Sequence, residues 1–174
     1  MSENIAKETN KSMGNGFFKE AITFIIAILI GFLLISIFRM AIVRGKSMDN
    51  TLFDGQHLIL FSKAYTFKEP ERGEIVVASV ENLDGENIIK RVIGTPGDHL
   101  VIEDNHVYIN DELLVEDYLP EPMDTEDLDI IIPEGKVFLM GDNRNYSGDS
   151  RSEIIGLIDI KDEVLGKIIV RFPF

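Results

Sequence analysis

The residues best placed to do chemistry in this sequence are one serine and one lysine. Ser47 stands in the polar run GKSMDNTL, residues 45–52, and no G-x-S-x-G elbow surrounds it. His57, His99 and His106 lie in strand-like runs with no shared spacing, which favours partly exposed strand histidines over a Ser-His-Asp triad. If Ser47 is a nucleophile, its base must be another residue type, and lysine can serve.

Lys90 is suitably placed to be that base. In the run ENIIKRVIG, residues 86–94, strand alternation puts Ile88, Lys90 and Val92 on one face. An ordinary lysine has a pKa of about 10.4, so apolar surroundings must lower it before the neutral amine is populated near pH 7. Alternation alone favours a different explanation, an edge strand protected by a Lys-Arg pair.

A third polar stretch, GDNRNYSGDSR at residues 141–151, follows the apolar run KVFLM and contains no aliphatic side chain. Its charged residues can form ion pairs or charge-assisted hydrogen bonds that lock a loop, and Ser147 can orient a neighbouring amine. A solvated polar turn is the open alternative. The charged residues are Asp142, Arg144, Asp149 and Arg151.

Several other chemistries are excluded. The chain has no cysteine, which rules out disulfides, thiol nucleophiles and cysteine-ligated zinc. A phosphate-binding loop ending at Ser47 would need glycine where Met40 stands, and a calcium loop starting at Asp142 would have arginine and tyrosine at ligand positions. Residues 47–174 carry a net charge of −16, which argues against nucleic acid. We therefore predict no metal, no cofactor and no nucleic-acid partner.

Residues 21–38, AITFIIAILIGFLLISIF, contain no charged side chain. As a helix they would span about 27 Å, close to the roughly 30 Å hydrocarbon core of a bilayer. A cleaved signal peptide usually has a shorter apolar region that ends in small residues, and a buried core helix is the other alternative. We predict a retained transmembrane helix between a cytoplasmic tail, residues 1–20, and an extracytoplasmic domain, residues 39–174. Lysine and arginine are balanced across the segment, so this orientation rests only on the short length of the tail.

Beyond residue 40, short apolar runs alternate with turn residues, which predicts a mainly β fold. Asp104-Asn105 between two short runs predicts a tight hairpin. The acidic stretch 116–129 contains two prolines and is predicted to be a surface loop. The predicted strands are 57–62, 74–80, 87–94, 99–103, 106–109, 130–132, 136–140, 155–160 and 164–172.

These stretches together resemble bacterial type I signal peptidase, the membrane-bound serine–lysine protease family that removes signal peptides from exported proteins. The resemblance covers residues 20–172, and the single anchor without a large insertion is similar to the Gram-positive form. Four boxes in the right order are far more specific than any one alone. They are GKSMDNTL as the nucleophile box, RGEIVVASV (72–80), KRVIGTPGD (90–98) as the lysine box, and GDNRNYSGDSR, followed by the closing strand VLGKIIVRFPF.

The resemblance implies an antiparallel β-sheet catalytic domain in which Ser47 is the nucleophile and Lys90 the general base. Ser147 would hydrogen-bond the lysine amine, and Met48 would line the substrate pocket. Its implied partners are signal-peptide-bearing preproteins and the lipid bilayer of a bacterial cell membrane, with the catalytic domain on the extracytoplasmic face. The residues that would brace the site are Asp142, Arg144, Asp149 and Arg151.

Three positions depart from the family pattern. Asn50 replaces a usual proline, so we expect a looser turn after the nucleophile. Tyr146 replaces a usual asparagine and is expected to alter the local packing. Gly45 stands where some members have a serine that contributes to the oxyanion hole, so the hole is expected to use backbone N–H groups, including that of Ser47.

Two other functions compete with this interpretation. Self-cleaving repressors use the same serine–lysine pair, but they carry a DNA-binding domain and no membrane segment. A membrane-anchored β domain that only binds a partner would instead tolerate the loss of the Ser47 hydroxyl.

Overall fold

The computed structural model describes the backbone of residues 2–173 and the side chains of residues 18–173. One α-helix, α1 (Ser2–Ile37), precedes a region of β-strands. The residues from Arg39 onward form a compact unit of their own. The strands are β1 (Phe38–Ile42), β2 (His57–Phe61), β3 (Ile75–Val80), β4 (Glu86–Gly94), β5 (His99–Glu103), β6 (His106–Ile109), β7 (Glu112–Leu113), β8 (Leu128–Ile131), β9 (Lys136–Met140), β10 (Ile158–Asp159) and β11 (Val164–Arg171). Short 3-10 helices lie at Glu81–Leu83 and Arg144–Tyr146.

The apolar part of α1 is Phe18–Ile37, which is long and apolar enough to cross a membrane. Its apolar side chains are exposed within the chain, Phe24 and Ile35 among them. The helix begins at Ser2, so it continues through residues predicted to form the tail. It ends one residue before the predicted boundary, because Phe38 already belongs to β1.

The strands form two antiparallel sheets, which confirms the predicted fold class. The larger sheet has the order β1-β2-β11-β3-β4-β9-β10, and the smaller has the order β7-β6-β5-β8. The hairpin between β5 and β6 is also confirmed: Asp104 and Asn105 have φ angles of 49° and 63°, as a tight two-residue turn requires.

The structure differs from the predicted elements at β1, β7, β8, β10 and the stretch 116–129, and β8 covers Leu128–Ile131 where 130–132 was predicted. β1 and β7 were not predicted, because β1 continues the apolar run of α1 and β7 has only two residues. The predicted strand 155–160 is reduced to β10, since the preceding residues form turns. The stretch 116–129 is not merely a surface loop, because Met123 packs in the core and the Glu116 side chain is nearly buried.

Three apolar clusters hold the β region together. One packs Val76 and Val92 of β3 and β4 against β9 and β10. A second joins Ile93 and β9 to the smaller sheet, so it fastens the two sheets to each other. The third surrounds Met48 and Leu52, just after β1. Strand β4 contributes to all three, so the strand that carries Lys90 is packed against every part of the core.

Candidate active site

The structure brings Ser47 and Lys90 together from positions 43 residues apart in sequence. Ser47 begins the turn that follows β1, and Lys90 lies in β4. The Lys90 Nζ atom is 2.7 Å from the Ser47 Oγ atom. This is the distance at which a lysine amine can exchange a proton with a serine hydroxyl.

Lys90 is 4% exposed, so the alternative of a solvent-facing gatekeeper is wrong. Burial lowers its pKa to about 8, because removing the ammonium from water favours the neutral amine. The charges of Asp149 and Asp142 oppose this shift, and that of Arg151 adds to it. Burial prevails, so a useful fraction of the amine is neutral near pH 7.

The turn that carries Ser47 is anchored from below by two buried side chains, Met48 and Leu52. The amide N–H groups of Thr51 and Leu52 both donate to the Met48 carbonyl oxygen, at 3.0 and 2.8 Å. Asn50 has a φ of 79°, a left-handed conformation that asparagine tolerates and proline cannot adopt. The turn therefore has a backbone conformation that a proline at this position could not adopt, and the looser turn expected from Asn50 stays a prediction.

The backbone beside the nucleophile offers a donor for an oxyanion. The Gly45 N–H donates to Asp54 Oδ1 at 2.8 Å, so it is already occupied. Within residues 18–173, no hydrogen bond uses the N–H of Ser47. That N–H is thus available, as expected from the glycine at position 45.

The loop 141–151 holds the nucleophile turn through Asn143, which the sequence analysis did not single out. The Asn143 N–H donates to the Ser47 carbonyl oxygen at 3.0 Å, and its side-chain amide donates to the Lys46 carbonyl oxygen at 3.0 Å. Gly141 lies between Ser47 and Ser147, where a Cβ atom would clash with the Ser47 carbonyl oxygen and the Ser147 hydroxyl. Only glycine fits this close approach.

The predicted bracing residues do form buried ion pairs, but only one pair lies within the loop. Asp149 binds Arg151, with Oδ1 at 2.8 Å from Nε, and also accepts the Gly141 N–H at 3.0 Å. Asp142 instead binds Arg91 of β4 with both carboxylate oxygens, at 2.8 and 2.6 Å.

Arg144 reaches outside the loop as well, to Glu116 in the connection between β7 and β8. Neither Arg91 nor Glu116 was predicted to take part. Arg91 stands in the lysine box but had no role assigned to it, Glu116 stands in no box, and both pairings are set by tertiary contacts.

Ser147 does not make the hydrogen bond that was predicted for it. Its hydroxyl is buried, and in the part of the chain with described side chains it has no hydrogen-bond partner. The expected hydrogen bond to the Lys90 amine is therefore not formed in this structure. Tyr146 is 74% exposed, and its expected effect on the local packing stays a prediction.

A groove of about 530 Å³ runs past the serine and the lysine. One side is formed by residues 40–44, and Met48 lines it, as predicted. The other is residues 86–90 of β4, whose pairing with β9 starts only at Arg91. Along this groove, one edge of β4 therefore has no partner strand among residues 2–173. Among the described residues, no cluster of carboxylates and histidines could hold a metal ion.

The sequence as a whole matches one family model, described as signal peptidase, peptidase S26, over residues 17–173. The chain belongs to this family. Family membership accounts for the order of the four boxes along the chain, and it agrees with the resemblance drawn from them.

Individual relatives in the family agree with this assignment. Signal peptidase I of Bacillus licheniformis is 36% identical, over 97% of this chain and 94% of that protein. Signal peptidase IB of Staphylococcus aureus is 34% identical, over 90% and 92%. The crystal structure of a signal peptidase I from Enterococcus faecalis V583 superposes with a TM-score of 0.51 at 31% identity, covering 59% of this chain and 98% of that chain.

Proposed function

We propose that this chain is a membrane-anchored serine endopeptidase that removes N-terminal signal peptides from exported preproteins. The observation that carries the proposal is the 2.7 Å contact between the Lys90 amine and the Ser47 hydroxyl, beside a groove. Family membership supplies the substrate class, because the relatives it matches are named signal peptidases.

Acyl transfer through this pair needs no group beyond the protein and water. The neutral Lys90 amine takes the hydroxyl proton of Ser47 as Oγ attacks the scissile carbonyl carbon. The backbone N–H of Ser47 donates to the oxyanion that forms. As the C–N bond breaks, the lysine ammonium gives its proton to the leaving amine, and an ester to Ser47 remains. Lys90 then deprotonates a water molecule, which attacks the ester carbonyl carbon. As the C–Oγ bond breaks, the lysine ammonium returns its proton to Ser47 Oγ, and the signal peptide leaves with a new C-terminal carboxyl group.

The open edge of β4 supports a mode of substrate binding. An extended peptide can pair with residues 86–89 as an added strand, with its scissile bond at Ser47 and Lys90. Side chains two residues apart in such a strand point the same way. The substrate residues one and three places before the scissile bond would then face the groove beside Met48. We propose that the space there admits only small side chains such as alanine.

The apolar helix supports a placement in the cell. We infer that residues 21–38 cross the bilayer once, that residues 1–20 stay in the cytoplasm and that residues 39–174 act on the extracytoplasmic face. Signal peptides of exported chains emerge at that face, so the anchor would hold the site beside its substrate.

The test is cleavage of a preprotein with an Ala-x-Ala site by the full-length chain in detergent, compared with Ser47→Ala. We expect cleavage at that site by the unchanged chain and at least a thousandfold loss in the variant, which lacks the nucleophile. Ser62→Ala, in the connection after β2, is the matched control and should cleave normally. If neither the unchanged chain nor Ser47→Ala cleaves although both are folded, a partner-binding β domain replaces the peptidase.

A further inference from the structure

The connection between β7 and β8 sends two side chains from the smaller sheet's side of the molecule towards the candidate active site. They are Glu116 and Tyr118, and the Tyr118 hydroxyl donates to Glu116 Oε1 at 2.6 Å. Neither lines the groove that contains Ser47 and Lys90. Any effect they have on the reaction must therefore pass through other residues.

Glu116 pairs with the most deeply buried arginine of the site. The Arg144 side chain is 1% exposed and that of Glu116 is 7% exposed. Arg144 Nη1 lies 2.7 Å from Glu116 Oε2, and its other terminal nitrogen binds Oε1, so the contact is bidentate. Arg144 Nε also donates to the Gly141 carbonyl oxygen at 3.1 Å. Glu116 thus fixes the loop that grips the nucleophile turn.

Tyr118 acts on the strand that carries the lysine. The Arg91 guanidinium lies over the Tyr118 ring, 4.0 Å from its centroid. Arg91 is the residue after Lys90, and its N–H groups donate to both Asp142 oxygens in the guanidinium plane. A guanidinium with a ring over its face and a bidentate carboxylate at its edge has little freedom to rotate. Tyr118 therefore restrains β4 at the point where Lys90 must stay in register with Ser47.

We propose that Glu116 and Tyr118 are positioning residues that hold β4 and the loop 141–151 in register, so that Lys90 and Ser47 meet at reacting distance. The part of this inference that concerns catalysis rests on the proposed function. Neither residue touches the reacting atoms. Their contribution is to fix two separate segments from a third, the β7–β8 connection.

The chain contains a matched control for this arrangement. Tyr65 donates to Glu74 Oε2 at 2.6 Å, and the Glu74 side chain is also 7% exposed and paired with a cation, Lys167. None of the side-chain contacts of Glu74 reaches Lys90, Arg91 or the loop 141–151 within the described side chains. Glu74→Gln and Tyr65→Phe therefore remove similar side-chain interactions that do not touch the candidate dyad or the loop 141–151, while the Glu74 backbone stays paired with Val92 of β4.

The experiment compares Glu116→Gln, Tyr118→Leu and Tyr118→Phe with those two controls in full-length protein in detergent. We expect kcat on the preprotein to fall at least tenfold in Glu116→Gln and Tyr118→Leu while KM changes less than twofold. Tyr118→Phe keeps the ring over Arg91 and should lose less than Tyr118→Leu. The controls should stay within twofold of the unchanged chain.

A second measurement separates positioning from general destabilisation and from failure of the proposed function. The Lys90 amine is titrated by NMR in each folded variant, beside its charged neighbours Asp142, Asp149 and Arg151. Loosening the site admits water, so the titration midpoint should rise in Glu116→Gln and Tyr118→Leu but not in the controls. Equal effects in both sets on kcat or on the midpoint would overturn the inference. If the unchanged chain cleaves nothing, the proposed function fails, and the titration still decides the positioning role.

Discussion

Lys90 and Arg91 are neighbours on β4, yet their surroundings shift their pKa values in opposite directions. Arg91 is gripped by both oxygens of Asp142 and covered by Tyr118, and these interactions outweigh burial and raise its pKa. Lys90 is more deeply buried, forms no ion pair among the described side chains, and has its pKa lowered to about 8. One carboxylate makes the difference.

The comparison shows how one strand can carry a structural cation and a reactive amine side by side. Alternation turns consecutive side chains to opposite faces, so Asp142 can neutralise Arg91 without pairing with Lys90. The ion pair beside the lysine is therefore useful because it leaves the lysine unpaired. A carboxylate on the Lys90 face would hold the amine protonated and remove the base.

The substitution with the largest expected effect is Lys90→Arg, which gives both positions a permanently charged side chain. Arginine stays protonated at any relevant pH, so it cannot accept the Ser47 proton. We expect preprotein cleavage to fall by roughly a thousandfold or more. Residual cleavage near the rate of the unchanged chain would show that Lys90 is not the base.

The next largest effect should come from Asp142→Asn, which removes the carboxylate from Arg91. The guanidinium is only 12% exposed, and a buried charge that loses its partner costs about 3 kcal/mol of unfolding free energy. Urea unfolding in detergent measures it. Lys136→Gln, which breaks an exposed pair with Asp159, should cost less than about 1 kcal/mol. Equal costs would mean that Arg91 does not depend on Asp142.

Lys90→Met should instead increase the free energy of unfolding. The pKa of Lys90 is about 8 in the folded chain and 10.5 as the ordinary value, so the folded state binds this proton more weakly than the unfolded state does. The resulting cost is complete below about pH 8 and disappears as pH rises to 10.5. At pH 7 the variant should be more stable by about 3 kcal/mol, with the gain shrinking between pH 8 and pH 10.5. A loss of stability at pH 7 would contradict this assignment.

The smallest effect is the pH dependence of the unchanged chain. If the neutral amine is the base, kcat/KM should rise with a midpoint near the pKa of Lys90, about 8. The neutral fraction then grows from about one tenth at pH 7 to one half at pH 8, so the rate should rise about fivefold. A profile that is flat between these values would leave Lys90 without this role.

The parts of the site that depend on residues close together in the sequence could be predicted, and the parts that depend on distant residues could not. Ser47, Lys90 and the loop 141–151 stand in local patterns, and these were found together as predicted. The partners of the charged loop residues are distant in sequence: Asp142 binds Arg91, and Arg144 binds Glu116. Charge alone cannot choose among many acidic and basic residues, so these pairs needed the tertiary structure.

The same limit applies to the fold. Runs with strict alternation, such as β5 and β6, were predicted at their observed bounds. β1 was missed because its residues extend the apolar pattern of α1, and only pairing with β2 makes them a strand. The acidic stretch 116–129 looked solvated, yet Tyr118 and Met123 turn inward. Two inward-facing apolar residues in an acidic segment are the signal that could have revealed its packing.

The open edge of β4 also has a consequence for the enzyme at rest. An unpaired strand edge is a template for association with any extended chain, and an unoccupied groove leaves residues 86–89 in that state. The exposed stretch is only four residues long and begins with the charged Glu86. Its shortness and that charge would discourage copies of the protein from joining edge to edge in a crowded membrane while still admitting a cleavage site.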